Sequence, residues 1–330
     1  MNLDKIYQII SEEPRFRKKQ INDFIFKKMG AKWSEATNLP KNLIEKLENE
    51  SSLDIDASIE LSNKETVKIL LKLDDGLVVE AVLIKNADGR NTVCLSCQVG
   101  CPMACAFCAT GQMGYERNLE EMEIVEQVLF FARLLKKKGE KIDNIVFMGM
   151  GEPFLNFDNV MRAIKFINND DFIGLGARHI SISTVGVEGW VKKITKESLQ
   201  VNIAISLHAP EDALRESLIK ANKAYPLKKI LRDVDYYIDR TNRKVMFEYL
   251  LIDGVNDLTE NAEKLVNITK KPLYMVNLIP CNPVGKFKPS RNIKKFANIL
   301  KLRGVNAVVR KSLGGSIEAA CGQLAIKKSK

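Results

Sequence analysis

The sequence predicts an α/β protein with a parallel sheet, and three patterns in the 330-residue chain support this fold class. From Cys94 onward, short β-branched runs alternate with stretches of helical periodicity. Repeated strand–helix units form parallel sheets, which are either open or curled toward a barrel. Residues 1–50 carry helical patterns alone, and residues 51–93 carry a hairpin signal. We therefore expect three regions, with the bounds 1–50, 51–93 and 94–330.

The first fifty residues predict a small helical module. Apolar residues recur at helical spacing in two segments, which end at Pro14 and at Gly30. Asn38 and Pro40 are start signals for a third helix. The basic residues of this module form either a phosphate-binding surface or a solvated helix face. They are Arg15, Arg17, Lys18, Lys19, Lys27 and Lys28.

Residues 51–93 predict two antiparallel strands that lead into the larger region. The turn pair Asp75-Gly76 lies between two β-branched runs, as in a hairpin. Glu80 lies among apolar residues of the second run. A carboxylate there is either on the solvent face of the strand or buried with a raised pKa, able to accept a proton. Alternation by itself favours the solvent face for Glu80.

A cysteine-rich segment carries the strongest chemical signal. Five of the seven cysteines lie within the fifteen residues from Cys94 to Cys108. The C-x3-C-x2-C spacing of Cys101, Cys105 and Cys108 can hold three corners of a cubane iron–sulfur cluster, leaving one iron open. A structural zinc site is the alternative, but it needs four ligands, and the chain has only two histidines. The odd number of cysteines argues against a disulfide framework.

Residues of possible catalytic or binding function follow the predicted strands. The carboxyl ends of parallel strands meet at one edge, where the catalytic residues of barrels lie. The residues that fall there are Gly151, Glu152, Ser183, Ser206, Leu207, His208 and Asn282. Structural interpretations remain open, because Glu152 could cap a helix and His208 could be a packing residue. Cys321, among the small residues of A-A-C-G, is either a nucleophilic or carrier thiol or a packing residue.

The composition is that of a globular enzyme with an anionic partner. Hydrophobic residues make up 45% of the chain, and no stretch approaches the ~18 apolar residues that a membrane helix needs. Residues 1–30 contain no apolar export signal, so we expect a cytoplasmic protein that does not enter a membrane. The net charge of +10, from 51 basic and 41 acidic residues, favours nucleic acid as the partner.

Six motifs in a fixed order carry a resemblance to a known family. They are C-x6-C-x3-C-x2-C, R-N-L, G-M-G-E-P, S-L-H-A-P, N-L-I-P-x-N-P and A-A-C-G-Q-L. This set resembles the RlmN family of radical S-adenosylmethionine (SAM) RNA methyltransferases, which modify C2 of adenine, over nearly the whole chain. The resemblance implies a radical-SAM partial (β/α)6 barrel with a small N-terminal helical domain for RNA binding and a β-hairpin extension.

The resemblance also implies a role for each candidate residue. The three cysteines of the C-x3-C-x2-C motif would bind a [4Fe-4S] cluster, and the seven strand-end residues would bind SAM, which is used twice per turnover. Cys321 would first be methylated, and a radical made from a second SAM would then join that carbon to C2 of adenine in a covalent RNA adduct. Glu80 would accept the C2 proton, which reverses its placement on the solvent face. Cys94 would release the RNA by forming a transient disulfide with Cys321.

The implied substrates are an adenosine of 23S rRNA at the peptidyl transferase centre and the adenosine 3′ of the anticodon in tRNA. The implied reductant is an electron donor such as flavodoxin or ferredoxin, and we expect a monomer. Two positions depart from the family pattern. Lys85 stands where the family usually has proline, and Ser316 stands where aspartate is expected.

Three other functions are alternatives to this one. The related Cfr family methylates C8 of the same rRNA adenosine, but it has alanine where Pro153 stands. A non-catalytic RNA-binding iron–sulfur protein would not need the Cys94 and Cys321 pair. A glycyl-radical activase would need neither Cys321 nor the basic charge.

Overall fold

A ten-stranded sheet runs through the structure, a computed structural model that describes residues 1–310 and 320–325. Its strand order is β1-β2-β3-β4-β7-β8-β9-β10-β11-β12, and β5 and β6 form a separate pair. The strands are β1 (Ala57–Ser62), β2 (Thr66–Lys72), β3 (Val78–Lys85), β4 (Asn91–Cys94), β5 (Gln98–Gly100), β6 (Tyr115–Asn118), β7 (Asn144–Phe147), β8 (Ile180–Thr184), β9 (Asn202–Ser206), β10 (Val245–Leu251), β11 (Tyr274–Pro280) and β12 (Ala307–Val309). Ser316 lies outside the described residues.

Helices connect the strands and cover the sheet. They are α1 (Leu3–Ile9), α2 (Phe16–Asn22), α3 (Lys41–Glu50), α4 (Ala109–Gln112), α5 (Glu121–Lys136), α6 (Phe157–Asn168), α7 (Trp190–Ile194), α8 (Asp212–Leu218), α9 (Leu227–Thr241), α10 (Thr259–Thr269) and α11 (Ile293–Leu302). A short π-helical segment, Asp23–Lys27, continues α2. None of the described helices is long and apolar enough to cross a membrane.

Seven strands, β4 and β7 to β12, form the parallel part of the large sheet. Each pairs in parallel with the next in chain order, β4-β7-β8-β9-β10-β11-β12. This sequential order is that of a barrel, because a doubly wound sheet reverses its order at a switch point. A helix follows each of the first six of these parallel strands. Within the described residues, β1 and β12 are the open edges of the large sheet. The prediction of a partial (β/α)6 barrel is confirmed.

The strands that precede the barrel differ in part from the sequence prediction. The predicted hairpin is present as β2 and β3, with Gly76 at φ 82° in its turn. A further strand, β1, pairs with β2, and β3 pairs with β4. The extension is therefore three-stranded and continuous with the barrel sheet, which buries β3 between two neighbours.

Two helical predictions also need correction. Helical periodicity predicts one helix over residues 187–198 and one over residues 211–240. The first range yields only the short α7, and the second yields two helices, α8 and α9. Pro226 is the N-cap residue of α9. Because proline lacks the N–H that a helix interior needs, one helix cannot run through this position.

The helical module over residues 1–50 packs against the outer helices of the barrel. The guanidinium of Arg133, on α5, donates to the carbonyl oxygens of Leu53 (2.9 Å) and Gly30 (2.7 Å). Phe26 packs edge-on against the ring of Phe166 on α6, with 4.9 Å between centroids. Buried apolar residues of this module and of the barrel belong to one continuous core.

Candidate active site

The loop between β5 and β6 brings the three cysteines of the C-x3-C-x2-C motif to the wall of one cavity, which we call the inner cavity. This cavity has a volume of about 150 Å³. Burial raises the pKa of the Cys101 thiol to about 12 and the pKa of Cys105 well above its usual value, and neighbouring thiols add to both shifts. Because thiolates are the metal-binding form, loading of a metal cluster here must release protons. The ring of Phe107 packs edge-on against His208, with 4.8 Å between centroids.

Five of the seven predicted strand-end residues line the same cavity: Gly151, Glu152, Ser183, Ser206 and His208. The Ser183 and Ser206 hydroxyl oxygens lie 3.2 Å apart, at the ends of β8 and β9. Leu207 and Asn282 are not among the described residues that line it. The Leu207 side chain is fully buried, and the Asn282 amide donates to the carbonyl oxygen of Cys321 (3.0 Å).

Glu152 combines both interpretations that its sequence position left open. Its Oε1 accepts from the N–H of Phe154 (3.1 Å) and caps a 3₁₀ turn, while Oε2 accepts from the N–H of Val185 (2.9 Å). Burial raises the pKa of this carboxyl to about 7, and the hydrogen bonds oppose that shift. Glu152 is therefore a buried, oriented carboxylate that also lines the inner cavity.

His208 faces the inner cavity as a neutral imidazole. Its Nδ1 accepts a hydrogen bond from the N–H of Leu250 (3.0 Å), which leaves the proton on Nε2. Burial, followed by the nearby charge of Arg215, lowers the pKa of His208 to about 3. The side chain therefore presents an N–H donor rather than a cation at neutral pH.

A second, larger cavity of about 760 Å³, which we call the outer cleft, contains both predicted catalytic cysteines. Cys321 lines the inner cavity as well as the outer cleft, whereas Cys94 lines only the outer cleft. Burial raises the pKa of the Cys94 thiol to about 12, and the nearby Cys321 contributes to the shift. Both thiols are free in the structure. Cys321 thus stands at the boundary between the two cavities.

Hydrogen bonds from distant parts of the chain hold the segment that carries Cys321. The N–H of Ala109 donates to the Gly322 carbonyl (2.7 Å), and the Thr110 hydroxyl donates to the Leu324 carbonyl (2.6 Å). Both donors belong to the turn that follows Cys108. The loop that carries the three cysteines and the segment that carries Cys321 are therefore packed together.

Glu80 is buried, and its placement on the solvent face was wrong. Only 1% of the residue is exposed, because β3 lies between β2 and β4 and buries five consecutive residues, 79–83. Oε1 accepts from Lys68 Nζ (3.0 Å), and Oε2 accepts from the N–H of Ala325 (2.8 Å). Burial raises the pKa of Glu80 to about 7, and Lys68 opposes that shift. Glu80 thus contacts the segment that carries Cys321.

Comparison with known proteins decides the family. Residues 95–266 match the Radical SAM superfamily. A protein of Dictyoglomus thermophilum, described as a probable dual-specificity RNA methyltransferase RlmN, is 43% identical over 330 residues, covering 98% of this chain and 94% of that relative. The chain belongs to the RlmN family. A relative with the same description from Caldicellulosiruptor saccharolyticus is 44% identical, with 98% and 94% covered.

A solved structure supports the RlmN family assignment at the level of the whole fold. The crystal structure of a radical SAM methyltransferase from Sphaerobacter thermophilus superimposes with a TM-score of 0.91 at 40% identity. The match covers 98% of this chain and 97% of that one. This RlmN-family chain is therefore a radical SAM RNA methyltransferase, and a [4Fe-4S] cluster and SAM are its cofactors. The zinc alternative is set aside on that ground.

The inner cavity suits these RlmN-family cofactors. Three cysteine thiols line it on one side. Gly151, at φ 104°, lets the backbone pass close to Gln98, because a Cβ there would lie 2.6 Å from the Gln98 Cβ. Glu248, on β10, is 3% exposed, and its Oε1 has no hydrogen-bond partner among the described residues. A buried carboxylate oxygen without a partner is costly unless a ligand donates to it.

Sequence reasoning missed two residues of this RlmN-family site. Glu248 lies in an apolar run, as Glu80 does, and that shared feature was the available signal. Arg215, on α8, is fully buried, although its sequence context is that of an ordinary surface helix. Its guanidinium donates to four carbonyl oxygens and one side-chain oxygen: Leu207 (3.1 Å), Val185 (2.8 Å), Ser206 (3.0 Å), Tyr225 (3.1 Å) and Asn222 Oδ1 (2.7 Å). Arg215 therefore fixes the ends of β8 and β9.

Proposed function

We propose that this enzyme methylates C2 of an adenosine in 23S rRNA and C2 of the adenosine 3′ of the anticodon in tRNA. The reaction proceeds through an S-methylcysteine at Cys321 and a transient covalent RNA adduct. The observation that carries this proposal is the position of Cys321. It borders the inner cavity, lines the outer cleft together with Cys94, and lies four residues before the Ala325 N–H that binds Glu80.

The cofactor-binding residues are proposed to be the following. Cys101, Cys105 and Cys108 hold the cluster, and Gly151, Glu152, Ser183, Ser206, Leu207, His208 and Asn282 hold SAM. When bound, the cluster and SAM supply a methyl group and a radical that removes a hydrogen atom from it. Two contacts support specific roles. The Glu152 carboxylate can accept from an ammonium group, and the unpaired Glu248 oxygen can accept from a hydroxyl or amino group.

Three residues act on the RNA adduct: Cys321 and Cys94, which line the outer cleft, and the buried Glu80, which contacts the segment that carries Cys321. Cys321 carries the carbon that becomes bonded to C2 of adenine. The Glu80 carboxylate then accepts the proton from C2, and the unpaired electron that the radical addition leaves on the ring would pass to the oxidised cluster, so that the ring becomes aromatic again. Finally, the Cys94 thiol gives up its proton and attacks the Cys321 sulfur, and the bond between that sulfur and the transferred carbon breaks. The electron pair remains on the carbon, which takes up a proton to become the methyl group, and Cys94 and Cys321 are left as a disulfide.

Charge and cavity size support an RNA substrate. The outer cleft, at about 760 Å³, lies in the size range of small-molecule sites and can admit one unstacked base. Arg15, Lys18, Lys19, Lys27 and Lys28 of the helical module are exposed, as a phosphate-binding surface requires. We propose that this module is the RNA-binding accessory domain. An electron donor such as flavodoxin or ferredoxin, a monomeric state and a cytoplasmic location complete the proposal.

Mass spectrometry of nucleosides tests the reaction. Total RNA is incubated with anaerobically reconstituted enzyme, SAM and a reductant, and the rRNA and tRNA fractions are digested separately. We expect 2-methyladenosine in both fractions. The appearance of 8-methyladenosine would mean that the enzyme has the Cfr regiochemistry. Cleavage of SAM without any modified RNA would contradict the proposed substrate.

Cysteine variants test the roles within the cleft. Cys321→Ala is expected to abolish RNA methylation, because no side chain can carry the methyl group. Cys94→Ala is expected to accumulate a covalent RNA–protein adduct on denaturing gels, because the resolving thiol is missing. Cys281→Ala is the matched control, since Cys281 is buried but lines neither cavity. Free, fully methylated RNA from Cys94→Ala would rule out its resolving role.

A further inference from the structure

Lys68 is a buried cation with two carboxylate partners. Its side chain, on β2, is 3% exposed, and its Nζ lies 3.0 Å from Glu80 Oε1 and 3.0 Å from Glu60 Oε2. Lys68 pairs in register with Val82, which places it diagonally across from Glu80 on the same face of the sheet. A lysine is seldom buried unless it is paired, because removing its charge from water is costly. The sheet thus places a cation directly on the predicted proton acceptor.

An irregularity in β1 supplies the second carboxylate. Ile59 pairs with Ile69 and Leu61 pairs with Lys68, so that Glu60 is an additional residue without a counterpart on β2. Such a β-bulge redirects the side chain of the strand that carries it. The Glu60 side chain remains 31% exposed while it contacts Lys68. One ammonium group is therefore shared between a buried carboxylate and one at the surface.

We propose that Lys68 is a positioning residue for RNA methylation, which holds Glu80 in place as an ionised base, and that Glu60 weakens this hold by competing for the same ammonium group. The proposal rests on the proposed role of Glu80. As the C2–H bond of the adduct breaks, the proton goes to the Glu80 carboxylate and the bonding pair stays with the ring, while the unpaired electron left by the radical addition would pass to the oxidised cluster. A protonated Glu80 could not accept that proton. The ion pair with Lys68 keeps the carboxylate available.

Lys68 and Glu60 shift the pKa of Glu80 in opposite directions. Burial raises the pKa of Glu80, Lys68 on β2 lowers it, and Glu60 on β1 raises it. The N–H of Ala325, which contacts the other oxygen, lowers it as well. Loss of the cation should therefore raise the pKa of the base, and loss of the Glu60 charge should lower it. A purely structural role of this cluster predicts no such pair of opposite shifts.

The pH profile of adduct resolution tests the proposal. Single-turnover reactions are run from pH 5.5 to 9.5, and both the covalent RNA–protein adduct and the released methylated RNA are measured. In Lys68→Met, we expect the acidic limb of the profile to move upward by about 1–3 pH units, because an opposite charge at this range shifts a pKa by that amount. Lys68→Arg should restore most of the wild-type profile. Glu60→Gln should move the limb to lower pH.

The controls separate this proposal from the role of Glu80. Lys72→Met removes an exposed lysine of the same strand and should leave the profile unchanged. Thermal unfolding shows which variants fold. If Lys68→Met does not fold, the pH profiles of Glu60→Gln and Lys68→Arg still test the proposal. A limb that stays at the wild-type pH in Lys68→Met or in Glu60→Gln overturns the proposal. If Glu80→Gln resolves the adduct at the normal rate, it is the proposed role of Glu80 that fails.

Discussion

Replacing Arg215 with lysine tests whether one buried guanidinium keeps the ends of β8 and β9 in position. Arg215 donates five hydrogen bonds, four of them to backbone carbonyls. Lysine keeps the positive charge but has three donors on a single nitrogen, so at least two of these acceptors lose their partner. The affected carbonyls include those of Val185, Ser206 and Leu207, which follow or end the strands that carry Ser183 and Ser206.

The expected cost follows from the number of lost bonds. A buried acceptor without a partner costs about 1–3 kcal/mol, so two of them destabilise the protein by about 2–6 kcal/mol. An unfolding entropy of ~2.1 cal/mol/K per residue gives ~0.7 kcal/mol/K for this chain, and the melting temperature should therefore fall by about 3–9 °C. SAM affinity should fall as well, because Ser206 and His208 lose their fixed positions.

Differential scanning calorimetry and equilibrium dialysis with SAM measure the two effects. Arg232→Lys is the matched control, because the Arg232 side chain is 72% exposed on α9 and should tolerate lysine. If Arg215→Lys melts within about 1 °C of the wild type and binds SAM equally well, the hydrogen bonds of Arg215 do not support the SAM-binding residues.

Three further predictions address individual side chains of the inner cavity. Glu248→Gln should weaken SAM binding about tenfold in equilibrium dialysis, because the uncharged amide oxygen accepts a weaker hydrogen bond than a carboxylate does. The melting temperature of the SAM-free protein should not fall, and an unchanged affinity would contradict a contact with SAM. His208→Gln should remove part of the acid sensitivity of folding. The pKa of His208 in the folded protein is lowered from 6.5 to about 3, so its contribution to the free energy of unfolding is present above pH 6.5 and is lost as the pH falls, by about 2 kcal/mol at pH 5. Denaturant unfolding at pH 7 and pH 5 measures this loss, and an equal loss of stability in the wild type and in His208→Gln would contradict the prediction. Gly151→Ala should reduce stability and SAM affinity more than Gly76→Ala, because both glycines have positive φ but only Gly151 has no room for a Cβ; equal melting temperatures for the two variants would refute this difference.

The sequence predicted the barrel well because the relevant signals are local. Each β-branched run and each helical period lies within about ten residues. The β-branched runs predict strands over residues 144–149, 179–184, 201–207, 245–251 and 274–280, and β7 to β11 begin and end within one or two residues of these bounds. The strands β1, β5 and β6 were missed. The pair β5 and β6 is only three and four residues long and pairs across the cysteine loop, so neither strand has a periodic pattern of its own.

Lys85, which stands where the family usually has proline, makes two contacts that the sequence did not reveal. The N–H of Lys85 donates to the carbonyl oxygen of Glu65 (2.7 Å), a bond that proline could not make. Its ammonium group pairs with Glu140 (3.0 Å). The end of β3 is therefore held by two contacts that a proline could not make.

The sequence by itself determined the family, the order of the strand–helix units and the cysteine loop, because motif order and ligand spacing are properties of the chain. Only the tertiary structure decided which side chains are buried together. Alternation alone favoured solvent for Glu80, because alternation assumes one exposed face, whereas the neighbouring strands and the segment after Cys321 cover this residue. Lys68, Arg215 and Glu248 became visible for the same reason. Burial and charge pairing depend on residues far apart in the chain, and no local pattern encodes them.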